Sequence, residues 1–115
     1  MSESKAKRIA QLNDALRHDP GTGGHGLIVM TRGVSELGIP FTMRALTELK
    51  SFDSFDADND PYGEHDFGSF ELDEHTLFWK IDYYEKDSEY TAGADAPDNP
   101  ATTHRLLTIM LAEEY

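Results

Sequence analysis

The chain has 115 residues, a length that fits one domain over 1–115 with one modest core. It contains no cysteine, which excludes disulfides, thiolate nucleophiles and cysteine metal sites. The formal net charge of −12 argues against nucleic acid or an anionic membrane as a direct partner, because each phosphate contact wants a cation.

The charge is unevenly placed. Residues 1–52 carry seven Lys/Arg against five Asp/Glu, whereas residues 53–115 carry three against seventeen. No run approaches the ~18 apolar residues of a membrane span. The stretch MSESKAKRIAQLNDALR has no apolar core of the signal-peptide kind, so a cytoplasmic protein is expected.

Residues 3–17 read as an amphipathic helix, with Ile9, Leu12 and Leu16 on one stripe, Ser2 or Ser4 as its cap and Asp19-Pro20-Gly21 as its stop. GTGGHG at 21–26 reads as a flexible turn. Its glycines follow a helix and precede a strand, the reverse of a dinucleotide-binding loop, and no lysine follows for a P-loop. Leu27–Thr31 (LIVMT) suits a short buried strand, and Arg32–Gly38 a connection. A second helix starts near Pro40, with Phe41, Ala45 and Leu49 on its stripe, and frays towards Phe52.

From Asp53 to Gly63 the sequence turns acidic and loop-like. Asp66–Leu72 and Thr76–Tyr84 then predict a hairpin through an Asp73-Glu74-His75 link, with Leu77, Trp79, Ile81 and Tyr83 as its core face. Glu85–Pro100 is an irregular acidic loop. His104–Leu111 fits helix or strand, its Thr108-Ile109 pair favouring a strand. The expected fold is α+β: two helices on a mainly antiparallel sheet, in the order α-β-α-β-β-β.

Two clusters could carry chemistry. Asp56, Asp58 and Asp60 alternate as in the first half of a calcium loop, and Glu64 could add a further oxygen for Ca2+ or Mg2+. Pro61 and Phe67 stand where an EF-hand would need glycine and glutamate, and aspartates of this kind also serve simply to turn a chain. Glu64-His65-Asp66 is the most catalytic-looking triplet, since carboxylates tune a histidine as a base. On an extended backbone, however, Glu64 and Asp66 would share a face and His65 would look away. No serine sits in a G-x-S-x-G context.

Three blocks, NDPYGEHDFG at 59–68, FWKIDYY at 78–84 and LTIMLAEEY at 107–115, resemble an uncharacterised family of small alphaproteobacterial proteins, a domain of unknown function. The likeness reaches back to Arg8-Ile9-Ala10-Gln11-Leu12-Asn13. It implies a compact bacterial cytoplasmic domain, often encoded by mobile elements, and brings no activity, cofactor or catalytic residue. The resulting expectation is an acidic interaction or regulatory protein whose partner presents a basic surface, with imitation of nucleic acid as one concrete form. The alternative is a divalent-metal-binding domain or metal-dependent hydrolase centred on Asp56–Asp66.

Overall fold

The computed structural model describes residues 4–19 and 26–115. Residues 21–25 of the turn expected over 21–26, the stop at Pro20-Gly21 and a cap at Ser2 lie outside the described residues, whereas Gly26 is already strand. Helix α1 spans Lys5–His18. Ser4 is its N-cap, the hydroxyl accepting from the Lys7 N–H at 3.1 Å, which satisfies one of the donors a helix start leaves unpaired. Its buried face holds Ile9, Ala10, Leu12 and Leu16, and also Asn13 and Arg17. Strand β1 is Gly26–Met30.

A short helix, α2, occupies Arg32–Ser35, inside the stretch expected to be a connection. Four residues offer no period to read, and distant contacts hold this turn. Val34 is fully buried, and the Glu114 carboxylate accepts from Thr31 Oγ1 (2.6 Å), the Leu111 N–H (2.9 Å) and the Gly33 N–H (3.0 Å). Those bonds, the one from Thr31 foremost, hold the Glu114 carboxyl below its ordinary range. Helix α3, Ile39–Ser51, starts with Pro40 in its first turn as expected and buries Phe41, Ala45 and Leu49.

The remaining strands are β2 (Phe67–Leu72), β3 (His75–Glu85) and β4 (Thr103–Leu111), followed by a 3-10 turn at Ala112–Glu114. The sheet order is β1-β4-β3-β2. The β2–β3 and β3–β4 pairs are antiparallel and β1–β4 is parallel, so the fold is α+β with a mixed sheet. His104–Leu111 is strand, as favoured.

The hairpin link differs from expectation by one residue. His75 pairs with Leu72 inside the sheet, and the turn is Asp73-Glu74 alone, with φ of 49° and 68°. Positive φ at both central residues is what a two-residue type I′ turn demands, and it matches the strand twist. The turn carries no glycine, so local composition understates its tightness.

One face of the sheet carries Leu77, Trp79, Ile81, Leu107 and Ile109 into a core closed by Leu16, Val34, Phe41, Ala45 and Leu49. The opposite face is open, and there Tyr115 lies edge-on against Phe67 and Phe78. Gly68 stands opposite Trp79 across the β2–β3 pair. A Cβ at that position would sit 2.4 Å from Trp79 Nε1 and 2.7 Å from Phe52 Cζ. Gly68→Ala is therefore expected to destabilise the fold by about 1–3 kcal/mol. An unchanged urea midpoint would refute this close approach.

Candidate functional site

The acidic segment after α3 is shaped by its own carboxylates. Asp56 Oδ1 accepts from the N–H groups of Asp58 (2.9 Å) and Asn59 (3.0 Å), while Asn59 Oδ1 accepts from the Asp56 N–H (2.9 Å) and Asn59 Nδ2 donates to the Ser54 carbonyl (2.7 Å). These are the side chain-to-backbone bonds by which Asp and Asn make turns. Asp60 is 8 % exposed and its Oδ1 accepts from the His65 N–H at 3.0 Å. Asp58 stays exposed. Among the described residues, no three His, Asp or Glu side chains are grouped as a metal site would need.

His65 does not follow the extended geometry expected for Glu64-His65-Asp66. Its φ is 56°, which turns the ring inward onto Phe55 in a parallel stack with centroids 3.9 Å apart. Nδ1 lies 2.9 and 3.1 Å from the two carboxylate oxygens of Asp14, and Nε2 lies 3.7 Å from Asp60 Oδ2. Each ring nitrogen faces a carboxylate, one from α1 and one from the acidic segment. The histidine thus fastens the segment to the helix.

Two buried arginines complete the clamp. Arg17 Nη1 donates to the carbonyls of Leu49 (3.0 Å) and Phe52 (2.9 Å) at the end of α3, and Nη2 donates to Asp14 Oδ1 (2.7 Å). A cation there meets both carbonyls of the helix end, of which Leu49's also accepts from the Phe52 N–H at 3.3 Å, and the negative end of the helix dipole. Its guanidinium carbon stands 5.3 Å from the ring centroids of Phe55 and Trp79.

Arg105, fully buried on β4, donates from Nε to Asn13 Oδ1 at 2.7 Å and from Nη2 to the Pro97 carbonyl. It lies over the Tyr83 ring at 5.2 Å. Asn13 Nδ2 donates to Tyr83 Oη (2.8 Å) and to the Glu64 carbonyl (2.9 Å), and Tyr83 Oη donates to Glu64 Oε1 (3.1 Å). Burial lowers the Arg105 pKa and raises that of Tyr83 from its ordinary phenol value.

Of the residues singled out from sequence, Asp60, Glu64 and His65 enter this network, while Asp56 turns the loop and Asp58 faces solvent. Asn13, Asp14, Arg17 and Arg105 were not among them, and Tyr83 entered only as a core-face residue. A signal existed for three. Asn13 and Arg17 interrupt the apolar stripe of Ile9, Leu12 and Leu16, and Arg105 alternates with Leu107 and Ile109 on the core face of β4.

Asp66 sits at the edge of the network. Burial pushes its carboxyl above the ordinary 3.8, and repulsion from Glu64, then Asp60 and Asp82, adds to this. The folded chain thus holds this proton more tightly than the unfolded chain. The cost of ionised Asp66 is absent at low pH and builds as pH rises through the raised value. Asp66→Asn is expected to stabilise the fold at pH 7 by up to about 1 kcal/mol, allowing for solvent screening, and to give no gain near pH 3. Urea midpoints equal to wild type at pH 7 would contradict this.

The fold and site define a class: a two-layer α+β protein whose acidic connecting segment is clamped to its first helix by buried polar groups. The chain belongs to a family of proteins of unknown function, DUF3768, whose model matches residues 30–114. That span contains all three sequence blocks except Tyr115, while α1 precedes it. No curated protein and no solved structure shows a significant match to the chain. No helix among the described residues is long and apolar enough to cross a membrane.

Proposed function

We propose that this protein is a small cytoplasmic interaction or regulatory protein that presents its acidic half to a basic protein partner, its carboxylates standing in for nucleic-acid phosphates. The observation that carries this reading is the fate of the cations in residues 53–115. Arg105 is buried, and Lys80 lies 3.2 Å from Asp82. Only Lys86 of the three remains exposed without an ion pair within 4 Å among the described residues. Exposed carboxylates such as Asp53, Asp58, Glu71, Glu74, Asp87 and Glu89 therefore face solvent with little local neutralisation.

Such a field raises the on-rate for a positively charged partner and weakens with salt. The family resemblance adds a setting among bacterial mobile elements, where occupying a host nucleic-acid-binding site would be of use. The test is affinity capture on the immobilised protein at low salt, with elution by duplex DNA. Nucleic-acid-binding proteins released by DNA, and lost when Asp87→Asn and Glu89→Gln are combined with Asp56→Asn and Asp58→Asn, are expected. Absence of any DNA-displaced protein overturns the reading.

A further inference from the structure

The loop after β3 folds back on its own strand. The Ala94 N–H donates to the Tyr83 carbonyl (3.1 Å) and the Glu85 N–H to the Ala92 carbonyl (2.8 Å). Beside this fold-back lies an open cavity of about 380 Å³, remote in sequence from the clamped segment. Its walls include Tyr84, Tyr90 and His104, with Glu85, Asp87 and Glu89 around them.

The aromatic walls are set at an angle. The rings of Tyr84 and Tyr90 meet at 83° with centroids 5.5 Å apart, and those of Tyr90 and His104 at 71° and 5.2 Å. Tyr90 Oη and His104 Nε2 are 2.9 Å apart, which pins the tyrosine across 14 residues of sequence. Glu89 and Tyr90 have φ of 54° and 67°, so the backbone leaves the ordinary region just where these side chains are placed. Glu85 Oε1 is occupied by the Asp95 N–H at 2.9 Å. Asp87 and Glu89 are exposed and, among the described residues, have no ion pair within 4 Å.

Electron-rich ring faces at an angle, rimmed by carboxylates, are chemistry for an organic cation. A cation over a tyrosine face gains from the ring quadrupole, and more when it is partly desolvated. Of the biological cations, a guanidinium both stacks on such a face and forks onto carboxylates, whereas an ammonium is a strongly hydrated point charge. We propose that this cavity receives an arginine side chain of the basic partner, and so sets where on the acidic surface that partner is anchored. Lys86 also borders the cavity, so an incoming arginine meets one like charge among the carboxylates. The site rests on the acidic-surface reading above, to which it adds a fixed point of contact.

The test is an NMR titration of the isotope-labelled full chain with acetyl-Gly-Arg-Gly-amide, and with acetyl-Gly-citrulline-Gly-amide as an uncharged control of the same shape. Saturable shifts at the amides of residues 84–90 and 104 with the arginine peptide alone are expected. Tyr90→Ala should weaken that binding at least tenfold, and Tyr90→Phe, which keeps the ring, by no more than about twofold. Shifts spread evenly over residues 53–66 and 71–74 would overturn the site, as would equal binding by Tyr90→Ala or by the citrulline peptide. If the tripeptide fails while DNA-displaced capture persists, the cavity is excluded and the acidic-surface reading stands. If capture fails, that reading falls whatever the tripeptide does.

Discussion

Replacing Arg17 by methionine is expected to remove about 2–4 kcal/mol of folding stability, because it leaves acceptors at a helix end short of a buried donor while the partner Asp14, 30 % exposed, stays partly solvated. Methionine keeps most of the aliphatic length, but it loses the guanidinium that stands over Trp79 and Phe55 and donates no hydrogen bond. The Phe52 carbonyl then loses its side-chain donor, the Leu49 carbonyl keeps only the Phe52 N–H at 3.3 Å, α3 loses a cation at its C-terminal end, and Asp14 keeps only His65. Against a typical total of about 5–15 kcal/mol, such a loss is a large fraction of the whole. Arg17→Lys should recover less than half of it, because one ammonium cannot reproduce the fork that reaches two carbonyls and a carboxylate at once. Urea denaturation of the three proteins is the measurement. A midpoint for Arg17→Met within error of wild type would refute the clamp.

The second large effect is expected at Asn13, where Asn13→Leu should cost about 2–4 kcal/mol. The substitution is close in volume and adds apolar surface, so packing is not the cause. It strips the Arg105 Nε of its acceptor, and Tyr83 Oη and the Glu64 carbonyl of their donor, while burial stays the same. Leaving buried polar groups unpaired costs about 1–3 kcal/mol, and more when one is charged. Tyr83→Phe removes only the hydroxyl and should cost about 1 kcal/mol. The double variant should cost clearly less than the sum, since both act through one connected set of bonds. Strict additivity would show that Asn13 and Tyr83 stabilise independently.

The contrast between these residues and those that stood out in the sequence is instructive. The strand face of Leu77, Trp79, Ile81 and Tyr83 was legible because alternation alone dictates it, whatever the strand packs against. The stripe of α1 was legible for the same reason. The stretch Asp56–Asp66 stood out by composition, but composition could not separate a ligand set from a turn. The bonds from Asp56 to the backbone of Asp58 and Asn59 are local, whereas His65 acquires its partner Asp14 across 51 residues. Likewise, α2 depends on Glu114, 81 residues beyond Gly33, and carries no periodicity of its own.

By itself, the sequence determined the α+β class, the positions of the two longer helices and of the strands, the core face of β3 and the acidity of the second half. Each follows from short-range rules: residue period, backbone preference and charge count. Tertiary structure alone decided that Arg17 and Arg105 turn inward, that His65 is held between Asp14 and Asp60, and that Tyr84, Tyr90 and His104 meet beside one cavity. A polar side chain on an apolar face is ambiguous until its partners are known. Those partners lie as far as 92 residues away, so the direction of each charge is set by the packing of the chain around it.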